Sequence, residues 1–219
     1  MFFFGLARIR RFFIFHSVYN KGITRENLGE YPKALNLLFL ALSLMPNSLK
    51  TYKAIIRVNR KNKTFLNGID FCNKAISRFP KNSELYAMKA DIYRKIKDYN
   101  EAITAFDEAI KYNGTNSEYY IERAYIKYLT DDLQGAINDC TGAIANQPDN
   151  YKLYEQRAFY QLEKKNYSKA EEDYNTALKL KNKAHLFFML GITEKFLNKD
   201  NLSVYNIERA EKMGVKYEI

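Results

Sequence analysis

The sequence predicts an all-α fold made of six copies of one helix–turn–helix unit, because small residues recur at a fixed interval. In residues 98–114, Ala102, Phe106 and Ala109 share one face of an amphipathic helix. The second small residue of each copy follows steps of 34 residues, with a last step of 33: Ala41, Ala75, Ala109, Ala143, Ala177 and Ala210. Such a period indicates a solenoid of stacked repeats, in which small side chains let helices cross closely.

A second amphipathic segment precedes each of these helices, and turn signals separate the copies. Residues 117–129 show this segment, with Tyr120 early and Ala124 four residues later. Proline or glycine ends a copy, as at Pro80, and the Asn, Asp or Ser residues that follow can cap the next helix. The predicted repeats are about 15–48, 49–82, 83–116, 117–150, 151–183 and 184–217.

This pattern resembles the tetratricopeptide repeat family over residues 15–217. The resemblance rests on the 34-residue period, the early aromatic, the small residue after it, the paired alanines and the closing proline. The second copy departs at Ile56 and Gly68 and the sixth at Ser203, while Val18 replaces the early aromatic of the first. The resemblance implies an α-solenoid forming a right-handed superhelix, and a non-enzymatic protein-interaction scaffold that holds a partner's peptide in its concave groove.

The positive charge is concentrated in the first third of the chain. The net charge is +10, and residues 1–65 hold twelve Lys or Arg against Glu26 and Glu30, whereas the rest holds 23 of each sign. A solvated basic surface is one interpretation. The alternative is an adaptor for an acidic protein, an anionic membrane surface or nucleic acid. Nucleic acid is the least favoured of these partners, because basic and aromatic residues do not alternate.

A basic stripe on the first helix of the second repeat is the first candidate binding surface. Its members fall within an arc of about 100° on the helix, opposite the apolar residues that must pack. Like charges on one stripe repel, so an acidic segment of a partner would relieve them; a solvated face is the alternative. The candidate residues are Lys50, Lys53, Arg57, Arg60 and Lys61.

The same arc in the fourth and fifth repeats is apolar, and it is the second candidate surface. Large apolar groups on a face turned to solvent indicate a ligand groove, unless they pack on the helix of the next repeat. The two surfaces together predict a polarised groove for a peptide with an acidic end and a hydrophobic stretch. The apolar candidates are Ile121, Tyr125, Tyr128, Phe159 and Leu162.

Residues 1–14 are apolar but interrupted by arginines, and they admit two interpretations. The order of charge and apolar residues is the reverse of a secretory signal, and the run is too short for a membrane span. The segment either caps the first repeat or anchors the protein at an anionic membrane surface. The expected location is cytoplasmic, with the membrane periphery and homo-oligomerisation through the final repeat left open. One face of this segment carries Phe2, Leu6, Ile9 and Phe13.

The residue types that carry catalysis are too scattered to predict an enzyme. His16 and His185 lie in different repeats, as do Cys72 and Cys140, so no short-spaced metal cluster is expected. The sequence lacks a phosphate loop and a dinucleotide fingerprint. We therefore expect no enzymatic activity, no metal and no cofactor, and we expect both cysteines to be inert core thiols.

Overall fold

The computed structural model describes residues 2–214, with side chains from residue 9 onward. Over these residues the chain forms twelve α-helices and no β-strand. It divides into two compact units, Met1–Tyr112 and Asn113–Ile219, each with three helix pairs. Within each unit, every described helix packs against the next one along the chain. The predicted all-α, helix-pair repeat architecture is confirmed.

The first unit contains the helices of repeats one to three. Helix α3 contacts α1 on one side and α5 on the other, so the first helices of neighbouring repeats lie side by side. The core between them includes Leu38, Ile55 and Ile56, all fully buried. The helices are α1 (Phe2–Asn27), α2 (Tyr31–Leu44), α3 (Leu49–Lys61), α4 (Phe65–Arg78), α5 (Ser83–Lys95) and α6 (Tyr99–Tyr112).

The second unit contains the helices of repeats four to six. Its core includes Tyr160, Tyr174 and Leu186, which are almost completely buried. The helices are α7 (Ser117–Leu129), α8 (Leu133–Asn146), α9 (Tyr151–Glu163), α10 (Tyr167–Leu180), α11 (Ala184–Phe196) and α12 (Asp200–Lys212). Helices α3, α5, α7, α9 and α11 begin at residues 49, 83, 117, 151 and 184, where the predicted repeats also begin.

Side-chain caps fix the start of α3, α5, α7 and α9. The Ser48 hydroxyl accepts a hydrogen bond from the Thr51 amide, and the Asn82 side chain accepts one from the Leu85 amide. Asn116 and Asn150 cap α7 and α9 in the same way. Each cap satisfies one of the amides that the first turn of a helix leaves without a partner.

The turn inside each helix pair has one residue in the left-handed region of backbone space. Its φ is 73° at Gly29 and 63° at Lys97, so the same turn is built with and without glycine. The left-handed residues repeat at the period of the sequence: Gly29, Lys63, Lys97, Asp131, Lys165 and Asn198. The side chains in five of these turns therefore carry a conformational cost that glycine would not.

Small residues lie where the two helices of a pair cross, as the sequence predicts. At Gly191, an added methyl group would lie 3.0 Å from the Ser203 carbonyl oxygen and 2.8 Å from Ile207 Cγ1. At Gly22, it would lie 3.1 Å from the Leu38 side chain. The alanines of the predicted pattern are fully buried: Ala34, Ala41, Ala75, Ala102, Ala109, Ala136, Ala143, Ala170, Ala177 and Ala210.

The structure adds two details to the sequence analysis. Helix α1 continues from Phe2 to Asn27 without a break, so residues 1–14 mostly extend the first helix of repeat one. The early aromatics of repeats four and five, Tyr120 and Tyr154, are half-buried, whereas Tyr119 and Leu153 just before them are buried. The predicted core alanines Ala124 and Ala158 are fully buried, so the core face of these helices is the predicted one, widened to include Tyr119 and Leu153.

Candidate functional site

The predicted basic residue Arg57 is held by a carboxylate of the same chain. Its Nε and Nη2 donate to Glu26 Oε1 and Oε2 at 2.6 and 2.7 Å, and Lys61 Nζ lies 2.9 Å from Glu26 Oε1. The Glu26 side chain is 1% exposed. Burial raises its pKa, but the hydrogen bonds and charges of Arg57 and Lys61 outweigh burial, so the pKa of Glu26 is lowered.

Two further basic residues of α3 are paired with carboxylates on α5. Lys53 pairs with Glu84, and Arg60 Nη1 lies 2.5 Å from Asp91 Oδ2. Burial raises the pKa of Asp91, but the guanidinium groups beside it more than offset this effect and lower it. Carboxylates on α1 and α5 therefore offset most of the repulsion proposed for the basic stripe, since four of its five cations have a partner within the chain.

Lys50 is the member of the stripe that makes no ion pair with a described carboxylate. Its Nζ lies 5.0 Å from the ring centre of Phe15 and 4.6 Å from that of Tyr19. A cation over an aromatic face is stabilised by the ring's electrons, while its charge stays available to an anion. Lys50 is thus held in place by α1 and remains exposed.

A cavity of about 670 Å³ opens beside Lys50, between α1 and the turn that joins α2 to α3. Arg11 Nη2 donates to the Ser43 carbonyl at 3.2 Å, which holds the guanidinium near the cavity mouth. Among the described residues, no Asp or Glu lines this cavity. Its lining consists of Arg11, Phe12, Phe15, His16, Leu44, Met45, Pro46, Asn47, Ser48 and Lys50.

Sequence reasoning missed the part of this cavity that α1 supplies. The spacing of Phe12, Phe15, His16 and Tyr19 places aromatic rings on one side of a helix, and that spacing was the available signal. Phe12 and His16 lie with ring centres 4.1 Å apart, and Phe15 and Tyr19 stack at 6.0 Å. The cavity therefore combines two cations with an aromatic wall.

The predicted apolar residues of the second unit mostly pack inside it. The Tyr128 ring lies 5.4 Å from Phe159 on α9, and both pack with Ile121 against the core between α7, α8 and α9. Leu162 packs against the next core cluster, and Tyr125 is 42% exposed. Packing on the next repeat, the alternative explanation, thus accounts for most of this surface. The basic and apolar sets lie in different units, and the polarised groove stays a prediction.

Both cysteines are completely buried, as the sequence predicts. Burial raises the pKa of the Cys72 and Cys140 thiols to about 12, so both are protonated at neutral pH. Within the described residues, no group of three or more His, Cys, Asp or Glu side chains could hold a metal ion. In the part of the chain that the structure describes, no helix combines the length and the hydrophobicity of a membrane span.

Comparison with known proteins agrees with this architecture. Residues 71–104 match the model of the tetratricopeptide repeat. A comparison with curated proteins finds no significant match. The chain is therefore a helix-pair repeat protein, and one segment of it is similar to the tetratricopeptide repeat, whose fold supports protein–protein interaction in general.

Several solved structures share the fold at low sequence identity. A crystal structure of MamA has a TM-score of 0.68 at 19% identity, covering 80% of this chain and all of that one. PilF of Pseudomonas aeruginosa has a TM-score of 0.68 at 14% identity, covering 93% of both chains. YrrB, described as a TPR protein with an unusual peptide-binding site, has a TM-score of 0.61 at 18% identity over 77% of this chain and 87% of that one. These likenesses concern the fold alone.

Proposed function

We propose that the protein is a non-enzymatic scaffold that binds a peptide segment of another protein. The cavity beside Lys50 is the proposed site in the first unit, and its ligand is a peptide that carries a carboxylate next to a large apolar side chain. The observation that supports this proposal is the pairing of two cations with an aromatic wall in a cavity that no described carboxylate lines.

The cavity is a better candidate for binding an acidic peptide than the rest of the basic stripe, because the other cations of the stripe are already paired. Lys53, Arg57, Arg60 and Lys61 each have a carboxylate partner within the chain, so a peptide would have to displace it. Lys50 offers a charge that an incoming carboxylate can bind without such exchange. Arg11 adds a second donor at the same opening, and Phe12 and Phe15 offer apolar contact.

The other residues predicted to bind a partner contribute less to the proposed site. Tyr125 presents an exposed ring on α7 and is the member of the apolar set best placed to contact a partner. The four paired cations of α3 serve mainly to hold α1, α3 and α5 together. A peptide with an acidic segment is still the proposed partner, as the sequence indicates.

Selection of random peptides displayed on phage tests this proposal directly. We expect the protein to enrich peptides with Asp or Glu beside Leu, Phe or Met. The variant Arg11→Glu with Lys50→Glu should lose this binding, measured by fluorescence anisotropy, at an unchanged helical signal. The control Lys21→Glu with Lys81→Glu makes the same change in net charge at exposed residues outside the cavity. Equal binding by both double variants, or no enrichment of acidic peptides, would contradict the proposal.

An anionic membrane surface is a second candidate partner, because α1 leaves an apolar face uncovered. Ile9 is 54% exposed, Phe13 66% and Ile14 42%. Arginines lie among these residues, a combination typical of helices that bind at the lipid interface.

Flotation with vesicles of phosphatidylserine and phosphatidylcholine tests this second candidate. The variant Ile9→Ser with Phe13→Ser should abolish flotation without affecting peptide binding, and salt should weaken flotation of the native chain. Absence of flotation, or flotation that the variant leaves unchanged, removes the membrane from consideration.

A further inference from the structure

A buried ion pair joins the two helices of the fourth and fifth repeats at equivalent positions. Arg123 Nε and Nη2 donate to the Asp139 carboxylate at 2.9 and 2.5 Å. Thirty-four residues later, Arg157 Nε and Nη2 donate to Asp173 at 2.8 and 2.7 Å. Arg157 also donates to Thr141 of α8 at 3.1 Å. The Arg157 guanidinium therefore occupies the space between α8 and α10.

The sixth repeat has lost this guanidinium. Aligning Ala177 with Ala210 places Leu190 where α9 has Arg157, and Asn206 where α10 has Asp173. The charged residue of α11 is instead Glu194, one turn further along the helix. The repeat thus has a carboxylate at this crossing and no base to match it.

Glu194 is buried, and among the described residues it has no ion-pair partner. The residue is 3% exposed, and Asn206 Nδ2 donates to its Oε2 at 2.8 Å. No basic side chain within residues 9–214 forms an ion pair with it. Burial and the charge of Glu171 raise the pKa of Glu194, and the Asn206 hydrogen bond and the charge of Lys199 offset this only in part. The free energy of the ionised form would fall if a cation entered.

A cavity of about 560 Å³ lies at this place, between α10, α11 and α12. Phe187 and Leu190 contribute apolar surface from α11, with Glu194 beside them. At the rim, Leu202 and Tyr205 are 49% and 57% exposed on α12. The cavity therefore has the components for an amphipathic side chain, namely an apolar wall for the stem and a carboxylate for the head.

The charged groups around this cavity do not neutralise Glu194. Lys199 Nζ binds both carboxylate oxygens of Glu171, at 2.7 and 2.6 Å. The Arg209 guanidinium lies 4.1 Å from the ring centre of Phe187. Lys179 on α10 is exposed to solvent. Among the described residues, none of these three cations forms an ion pair with Glu194, although Arg209 also lines the cavity.

We propose that this cavity binds an arginine side chain presented by a partner peptide. Its guanidinium pairs with Glu194, and its aliphatic stem lies against Leu190 and Phe187. The ligand supplies from outside the charge that Arg157 supplies within the fifth repeat. Arginine fits better than lysine, because a planar group with five donors can bind Glu194 and the amide side chains of the cavity together. This site is independent of the cavity beside Lys50, since its ligand has the opposite charge.

A matched pair of peptides tests the proposal by NMR titration of the full chain. The probe is acetyl-Gly-Leu-Arg-Leu-Gly-amide, and its control replaces arginine by citrulline, which has nearly the same shape and no charge. We expect saturable shifts of the Asn206 side-chain amide with the arginine peptide, and binding weaker by at least about tenfold with citrulline. Equal titrations by the two peptides, or no titration, would overturn the proposal.

Two variants locate the binding in the cavity. Glu194→Gln keeps the shape of the side chain and should weaken binding of the arginine peptide by at least about tenfold, whereas Glu211→Gln, exposed on α12, should leave it unchanged. Leu190→Arg with Asn206→Asp rebuilds the pair of the fifth repeat and should abolish binding at an unchanged helical signal. Binding that survives both changes contradicts the proposal. A change in self-association with Glu194→Gln, without loss of peptide binding, would assign the cavity to a second copy instead.

Discussion

Two buried glutamates, one in each compact unit, have pKa values shifted in opposite directions. Glu26 and Glu194 are both 3% exposed. Two cations, Arg57 and Lys61, bind Glu26 within 2.9 Å, whereas Glu194 has an amide from Asn206. The pKa of Glu26 is lowered and that of Glu194 is raised, although burial acts in the same direction on both. The difference lies in the neighbouring charge.

This difference separates charges that hold the fold together from charges left for a ligand. The first unit uses most of its basic stripe internally, so the cations most conspicuous on a helical wheel are poor candidates for binding. Lys50 and Glu194 are less conspicuous in the sequence, but each lacks an ion-pair partner among the described residues and lines a cavity. We therefore propose binding at the charged side chains that have no ion-pair partner among the described residues.

Arg57→Gln should have the largest effect on the first unit. It leaves the Glu26 carboxylate buried with only Lys61, and we expect a loss of about 3 kcal/mol in the free energy of unfolding, measured by urea denaturation. Lys53→Gln is the control, because its partner Glu84 is 56% exposed, and it should cost less than about 1 kcal/mol. Equal effects of the two variants would show that Glu26 does not depend on Arg57.

The pH dependence of stability should differ in sign between the two glutamates. The contribution of Glu26 is present above about pH 4.5 and is lost as the pH falls through its lowered pKa. The contribution of Glu194 is present below about pH 4.5 and is lost as the pH rises through its raised pKa.

Urea midpoints from about pH 3 to 7 check this sign. Glu26→Gln should reduce the loss of stability in acid. Glu194→Gln should raise stability at pH 7 and have little effect in acid, because the native side chain is protonated there. Parallel profiles for the two variants would mean that the neighbouring charges do not distinguish these sites.

Introducing into the sixth repeat the ion pair that the fifth repeat has should stabilise the protein. We expect Leu190→Arg with Asn206→Asp to increase the free energy of unfolding by roughly 1 kcal/mol, because the new guanidinium can bind both acids. Asn206→Asp alone should decrease it, because two carboxylates then meet at one crossing. A stabilising effect of Asn206→Asp alone would be evidence that a cation already forms an ion pair at this crossing.

Glycine substitutions in the turns should have the same effect on stability in both units, so they serve as a control for the comparison of the two glutamates. Lys97 and Lys165 both have a φ of 63°. Replacing either by glycine should raise the free energy of unfolding by about 0.5 kcal/mol, as relief of the left-handed strain slightly exceeds the entropy cost of glycine. Thermal denaturation of the two variants measures it. Unequal shifts would mean that the units differ in more than their charges.

The sequence predicts the fold well because the helix pairs are specified locally. The alanine pattern, the caps at Asn82 and Asn116, and the 34-residue period all depend on residues near each other along the chain. The ion pairs were not predicted, because a helical wheel treats each helix alone. Arg57 and Glu26 lie 31 residues apart and meet only when neighbouring repeats stack.

The candidate sites were only partly predictable for the same reason. Lys50 was identified, but the wall of its cavity comes from α1, whose length the sequence reading divided at residue 14. Aligning the repeats shows that Leu190 stands where the fifth repeat has Arg157. The sequence does not show that these equivalent positions lie at a helix crossing, so the change could be interpreted only with the structure.

Carbon-13 titration of the glutamate side-chain carboxyl groups measures the contrast between the two units most directly. In the native chain, Glu26 should titrate below about pH 4.5 and Glu194 above it. If the order were reversed, or if the two groups titrated at the same pH, the assignment of internal pairing to Glu26 and of an unfilled site to Glu194 would be wrong.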